Sequence, residues 1–389
     1  MDRLRILSVY AGPFPAPFGT QGLVSGALEQ LAGRGHEVHL AVYEDRLQGK
    51  EPSGVVVHRG GASRLGLAQP TGPAWQRPIH DMALLRTIAR LLDDLRPDLL
   101  YAHHYEALVA AAAARRFRPL PLVFHSHALW RRELAAYGSI PSGLGALLGL
   151  TADRTLPKFA DRVVALSDAM TREIEKSGVS RHCIDVVRPG VDLDEARPDR
   201  EESRKRLGLD GMRVVSYLGN LEKYQGVGIL VDAVRRLKDL IADLVLVIAS
   251  HEKQGNRIDA LMQRSGIRTL TVPGERWSEV LAASDVVAVP RTVSGGVPIK
   301  TLNALAAARP VVTTMEGAFD LGHGTACWIV PANDADSLAH GIGTLLGSPD
   351  LAARIAGQGR LWVEKHCAWD DVTTALETSL EKALESRAR

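Results

Sequence analysis

Cysteine is scarce in this chain of 389 residues: Cys183, Cys327 and Cys367 are far apart and odd in number. With no CxxC and no Cys/His cluster there is no zinc-site signature, and three thiols cannot frame a disulfide-stapled fold of this size. They read as small hydrophobes in a reducing compartment. A surplus of one charge is also missing. Lys plus Arg is 47 and Asp plus Glu is 45, a net of +2, so general nucleic-acid binding, which needs a basic surplus to displace counterions, is excluded. The longest apolar runs, around Ala107–Ala114 and Leu244–Ala249, fall well short of the ~20 residues of a membrane span. The first twelve residues carry no credible cleavage site, so the expected location is the cytoplasm. No P-loop, GxGxxG fingerprint, GxSxG elbow, HExxH or kinase signature occurs.

What is present is a globular composition, 46% hydrophobic and 24% charged. Its length suits two domains at ~100–200 residues each. The Ala, Arg and Gly bias accords with a GC-rich bacterial genome. Short apolar runs alternate with amphipathic stretches: Arg5–Tyr10, Glu37–Val42, Gly54–His58, Leu99–Ala102, Leu122–His125 and Arg162–Ala165. Between them lie helix-like segments such as Gly22–Gly33 and Pro78–Leu95, the second ended by Arg96-Pro97. The charged stretch 191–211 breaks the pattern and reads as a linker with a short helix. The rhythm then restarts with Val214–Leu218, Leu244–Ser250, Thr269–Val272, Val286–Pro290, Val311–Thr314 and Trp328–Val330.

Such runs, bounded by turns and separated by helices, indicate parallel sheets covered on both faces. The expected fold class is therefore α/β, with two Rossmann-like doubly wound parallel-sheet domains facing across a cleft. The expected boundaries are 1–190 and 212–368, joined by 191–211. The last helix, 369–389, could pack on either half. Ligands of such sheets bind beyond the strand carboxyl ends, which directs attention to the loops there.

Four loops carry candidate chemistry. Gly12 to Gly22 joins the first strand to the first helix, and Gly19 and Gly22 allow close backbone approach to a ligand. Phe124-His125-Ser126-His127 ends the fifth run; His125 is expected within the strand and His127 beyond it, free to hold or deprotonate a hydroxyl. His103-His104, with Glu106 nearby, is a similar case. Leu218 to Gly226 is a glycine-bearing turn carrying Lys223, suited to a diphosphate. A proline-rich turn, a satisfied structural histidine and a solvated lysine are the plain alternatives for these three.

The fourth loop, Ser294 to Val312, is the most specific. It reads as a glycine turn, Pro298 at the first helical position, an amphipathic helix and another strand. Free N–H groups at that helix start would meet a pyrophosphate, with Lys300 near the same end and Asn303 a turn further in. Packing alone accounts for Leu302, Leu305 and Ala306 but hardly for the Gly-Gly-x-Pro-x-Lys opening. Asp192-Leu-Asp194 and Asp334-Ala-Asp336 have the DxD form of a metal-binding pair, but one lies in the linker and the other in a turn, so no metal is expected.

In this order the motifs resemble the retaining glycosyltransferases of the GT-B fold, family 4, over nearly the whole chain. The resemblance rests on the glycine loop, Gly35-His36-Glu37-Val38, Arg96-Pro97-Asp98 with Ala102-His103, and the strand ending in His127. It continues through Ala160 to Ser167, Arg188 to Asp192, and Gly296 to Val312. It implies an acceptor-binding first domain, a nucleotide-sugar-binding second domain and a terminal helix crossing back to the first.

His127 and Lys300 would be catalytic. The donor would be held by Gly19, Asn220, Lys223, Gln225, Gly226 and His251, and by Gly295, Gly296, Val297, Pro298 and Asn303. The acceptor would meet Thr20, Gln21, His104 and Glu106. The family's two glutamates, eight positions apart, are replaced by Gly295 and Asn303, and its Arg and Lys after the strand ending at Leu218 have their nearest matches in Asn220 and Gln225. A branch of the family carries Gly-Asn-x-Glu-x-Tyr-Gln-Gly and Gly-x-Pro-x-Lys-x-Leu-Asn here, and both fit.

The resemblance thus implies transfer from a nucleotide-diphosphate sugar, commonly a uridine diphosphate sugar, to an acceptor hydroxyl without a metal cofactor. A glycolipid, a polysaccharide precursor and a secondary metabolite all fit as acceptor. A nucleotide-sugar epimerase on the same fold and a catalytically degenerate nucleotide-sugar-binding protein are the competing readings. Trp130-Arg131-Arg132 and Ile140–Leu150 make either a surface for peripheral contact with the inner face of a membrane or a helix packed in the core.

Overall fold

Valine, isoleucine and leucine recur along the short runs, and the helices between them bury both sheet faces, so the strands pair in parallel. The computed structural model describes residues 3–15, 19–44, 49–60, 76–116, 118–136, 141–195, 198–251, 260, 262–263, 265–294 and 296–388. The chain divides into two units, Met1–Gly190 with Trp369–Arg389, and Val191–Ala368.

In the first unit the described strands are β1 Arg5–Tyr10, β2 Glu37–Val42, β3 Val55–Arg59, β4 Leu99–His103, β5 Leu122–Ser126, β6 Arg162–Ala165 and β7 Ile184–Val186. They form one parallel sheet in the order β3-β2-β1-β4-β5-β6-β7. The second unit holds β8 Arg213–Leu218, β9 Leu244–Ser250, β10 Arg268–Pro273, β11 Val286–Val289, β12 Val311–Thr314 and β13 Trp328–Val330. Its order is β10-β9-β8-β11-β12-β13, again parallel. The apolar runs locate twelve of these strands to within one residue at each end. The exception is β7, whose three residues have Asp185 at their centre, too short a run for periodicity to register. In each sheet the strand order reverses once, between β1 and β4 and between β8 and β11. Crevices at such switch points are where doubly wound sheets bind ligands.

One face of the first sheet packs on two helices, Gly19–Gly33 and Trp369–Ala388. Ile6, Leu99, Tyr101 and Val123 meet Val24, Leu28 and Leu31 from one, and Val372, Leu376, Leu380 and Ala383 from the other. A fully buried valine or leucine contributes ~1.5–3 kcal/mol, so the terminal helix is integral to this unit. Trp369 lies over Gly26 and Gly190, where an added Cβ would sit 2.4 and 2.2 Å from its ring. Arg34 anchors the same helix through Asp370 at 2.5 Å and Glu377 at 2.6 Å.

Residues 191–211, expected as a linker, belong to the second unit. Their charge is used in packing. Asp199 caps the helix Arg200–Leu207, and Arg200 and Arg204 both pair with Asp285, at 2.5 and 2.7 Å. Ile140 lies outside the described residues. From Ser142 a helix runs to Thr155, and its Leu144, Leu147 and Leu148 are exposed and not part of the core.

Candidate functional site

Side chains two apart on a strand share a face, and parallel register aligns neighbouring strands. Ile6, Ser8 and Tyr10 on β1 therefore lie beside Leu99, Tyr101 and His103 on β4, and His103 lies beside His125 on β5. Along this face the residues change from apolar to polar toward the carboxyl ends. His127, two residues beyond His125, continues the column; the two rings stack with centroids 4.4 Å apart, and both residues are buried. His103 Nδ1 is 3.0 Å from His127 Nε2, and His103 Nε2 is 3.1 Å from Ser8 Oγ. Tyr101 OH is hydrogen-bonded to His125 Nδ1. His125 Nε2 and His127 Nδ1 are buried without a hydrogen-bond partner.

His104 turns the chain from β4 into the helix His104–Ala114 with a φ of 69°, a left-handed conformation rare for histidine. Its ring centroid is 4.8 Å from that of His127. Glu106 occupies the first turn of this helix, 4.0 Å from the Arg77 guanidinium. Burial pushes its carboxyl up to about 7, against the pull of Arg77. Gly19, Thr20 and Gln21 begin the helix after β1; Gly19 is exposed and Gln21 is buried. His104, Glu106 and His127 thus collect at the β1/β4 switch point with His103 and Tyr101, which the loop-by-loop reading did not assign together.

Burial also holds the imidazoles neutral. His103 and His127 lie well below their ordinary value, His125 falls to about 3 and His104 to about 4, with neighbouring imidazoles or Arg77 adding to the effect. A depressed base opposes protonation in the folded state only, so stability is full above 6.5 and falls as pH drops toward 4. Each imidazole kept neutral costs about 1.4 kcal/mol per pH unit below 6.5. Calorimetry should show the melting temperature of the intact chain falling steeply between pH 6.5 and 4. A flat profile would mean the cluster is solvated.

In the second unit the loops after β8 and β11 meet around Lys300. This lysine lies in the first turn of the helix Ile299–Ala306, for which Pro298 is the residue before the first turn and not the first helical position. Its Nζ donates to Tyr217 OH at 2.7 Å and to Gln225 Oε1 at 3.0 Å, and lies 4.2 Å from the Tyr217 ring centroid. Both acceptors are neutral. Burial, then Arg291, lowers the Lys300 ammonium well below the ordinary lysine value. Gly219 has a φ of 117°, and a Cβ there would lie 2.9 Å from Nζ.

The other expected donor residues lie on the segments that follow β8, β9 and β11. Asn220 Oδ1 is buried without a partner, while the Asn220 carbonyl accepts from Tyr217 OH. Lys223 is exposed at the surface of the turn. Gly296 accepts from Arg291 Nη1 at 3.2 Å, Val297 and Pro298 are buried, and Asn303 is half-buried on the helix. His251 follows β9, its Nδ1 3.2 Å from Glu275 Oε1. Gly295 lies outside the described residues. Tyr217 and Arg291 were missed by sequence reasoning. Arg291 follows β11 and could have been found by the strand-end rule, whereas Tyr217 lies inside β8 and gives no such signal.

Gly226 is the most constrained position of the loop. Its φ is 71°, and a Cβ would lie 2.0 Å from the Pro290 carbonyl oxygen. Gly226→Ala should therefore destabilise the second unit by at least ~2 kcal/mol, from left-handed strain plus overpacking. Denaturant unfolding with unchanged stability would show that the loop moves freely.

Both DxD pairs have structural roles. Asp192 Oδ1 accepts from the N–H groups of Asp194 and Glu195, and Asp334 caps the helix Ala335–Gly347 through the N–H groups of Asp336 and Ser337. Among the described residues, one ring nitrogen from each of His103, His125 and His127 lies within 4.8 Å of the others.

Two doubly wound parallel sheets, each with candidate groups at its switch point, define the GT-B class of glycosyltransferases. Residues 21–195 match Glycosyltransferase Family 4 and residues 212–348 match Glycosyl transferases group 1. The chain thus carries a Glycosyltransferase Family 4 domain and a Glycosyl transferases group 1 domain, on the fold of the GT-B glycosyltransferases. It is 29% identical to the D-inositol 3-phosphate glycosyltransferase of Nocardia farcinica, across 91% of this chain and 84% of that one. With the Mycobacterium marinum protein of the same name it shares 27%, across 98% and 86%. Among solved structures, sucrose-phosphate synthase from Thermosynechococcus elongatus matches with a TM-score of 0.84 at 17% identity, covering 99% of this chain and 100% of that one. Anabaena Alr3699/HepE in complex with UDP-glucose matches at 0.77 and 17%, covering 97% and 100%.

Proposed function

We propose that this glycosyltransferase moves a sugar from a nucleotide-diphosphate sugar, a UDP-sugar in the first instance, to an acceptor hydroxyl with retention of anomeric configuration and without a metal cofactor. The carrying observation is Lys300, an ammonium group held by two neutral acceptors at a helix start with Arg291 nearby. Two neighbouring cations and free helix-start N–H groups suit a diphosphate. The UDP-glucose complex of Alr3699/HepE, with a similar fold, supports the donor class. Relatives named for inositol 3-phosphate support a polyol or sugar hydroxyl as acceptor.

In the reaction the bond from the anomeric carbon to the diphosphate oxygen breaks, and the acceptor oxygen bonds on the same face. The leaving phosphate oxygen takes the acceptor proton. Lys300 and the helix-start amides stabilise the growing phosphate charge, while His127 orients the sugar. The test is turnover with a panel of UDP-, GDP- and ADP-sugars against sugars, inositol phosphate and lipid acceptors, in excess chelator, with the product anomer assigned by NMR. Product with inverted configuration, or an epimerised donor without acceptor, overturns the reading. So does activity lost to chelator and restored by Mg²⁺ or Mn²⁺.

Peripheral membrane contact finds support in one helical stripe. Leu144, Leu147 and Leu148 are 50–60% exposed, and Arg154, seven residues after Leu147 on the same helix, adds exposed charge. Apolar insertion beside basic groups matches an anionic lipid surface. Leu147→Glu should reduce co-sedimentation with anionic vesicles severalfold; unchanged binding removes this stripe from consideration.

A further inference from the structure

The histidine column is under-satisfied as a purely protein network. His103 Nδ1 and His127 Nε2, 3.0 Å apart, can share only one proton, and the facing His125 Nε2 is left with no partner. Buried polar atoms without partners are rare, and each calls for an explanation. One ring nitrogen from each of His103, His125 and His127 lies within 4.8 Å of the others.

We propose that His103 Nδ1, His125 Nε2 and His127 Nε2 bind one late first-row divalent transition metal, of the zinc or cobalt type. Three imidazoles with no carboxylate or thiolate in the set favour such ions over magnesium or calcium. Metal–nitrogen bonds of ~2.0–2.1 Å at tetrahedral angles need nitrogens about 3.3 Å apart. The His103–His127 pair, at 3.0 Å, is close to this, and the full set lies within 4.8 Å, so ring adjustment on binding must close it. The outer hydrogen bonds fit as well. Ser8 Oγ can accept from His103 Nε2–H, and Tyr101 OH can accept from His125 Nδ1–H, which fixes both tautomers with their ligand nitrogens free. Three protein ligands leave a fourth position for water. Occupancy would engage the same His127 that orients the sugar, so the metal would oppose turnover. That consequence rests on the transferase reading; the binding site itself does not.

The full chain, stripped with chelator, is titrated with Co²⁺ and followed by visible absorption, and zinc is counted by mass spectrometry after loading and desalting. One equivalent with intense tetrahedral bands is expected. Ser8→Ala, which removes only the bond orienting His103, should weaken binding by about 10- to 100-fold. His125→Asn should abolish the tetrahedral bands. His39→Asn, at the separate His39–His58 pair, should leave them intact. Absence of these bands at tenfold excess, or bands that Ser8→Ala and His125→Asn leave unchanged, overturns the site. One equivalent bound with turnover unaffected upholds the site and removes His127 from the transferase centre.

Discussion

Lys300→Ala is expected to lower turnover by about a hundred- to a thousand-fold while changing donor affinity much less. On the proposed reading the side chain is preorganised where charge develops: its Nζ is fixed by Tyr217 and Gln225, and Gly219 has no Cβ to crowd it. A preorganised donor of this kind is worth ~2.7–4 kcal/mol when the leaving group gains charge, because the contact strengthens toward the transition state. Burial and Arg291 disfavour the ammonium in the free protein, and an incoming diphosphate favours it. Asn303→Ala should fail differently. This neutral residue stands where the family places the carboxylate for the ribose, so its loss should weaken nucleotide binding by roughly 0.5–1.5 kcal/mol with little effect on the chemical step. Calorimetry and single-turnover kinetics on both variants separate the two. Parent-like values for both would move the donor site away from this helix.

His127→Ala should also reduce turnover by about a hundredfold or more, with donor affinity nearly intact. It stands past the end of β5, while His125 lies within the strand and is hydrogen-bonded to Tyr101. His125→Ala should accordingly cost more stability than His127→Ala and less turnover. Since the rings stack and His103 bridges toward Ser8, a double-mutant cycle belongs with the experiment. Equal losses of turnover from both single variants would show that the column acts as one unit and that His127 has no separate role.

Much of the candidate site was legible because its positions are local. A loop after a strand carboxyl end can be read from one run of residues, and Gln225, Gly226 and Lys300 were singled out that way. What escaped was contributed by several segments. Tyr217 is an unremarked strand residue until Lys300, 83 positions later, donates to it. Residues 191–211 read as a linker with a short helix, and nothing local shows that Arg200 and Arg204 pair with Asp285, 85 and 81 positions later.

The sequence by itself determined the succession of strands and helices, since side-chain period and turn residues act within a few positions. It also singled out the loops after strand carboxyl ends as the place to look for the chemistry. Only the tertiary structure decided the rest. Pairing of β4 with β5 in one register set His103 beside His125 and within reach of His127, although 24 residues separate His103 from His127. Packing of Trp369 over Gly26 and Gly190 assigned the terminal helix to the first unit. Register and packing are sums of contacts between distant segments, and a one-residue slip turns every side chain of a strand to the other face. No local pattern carries that information.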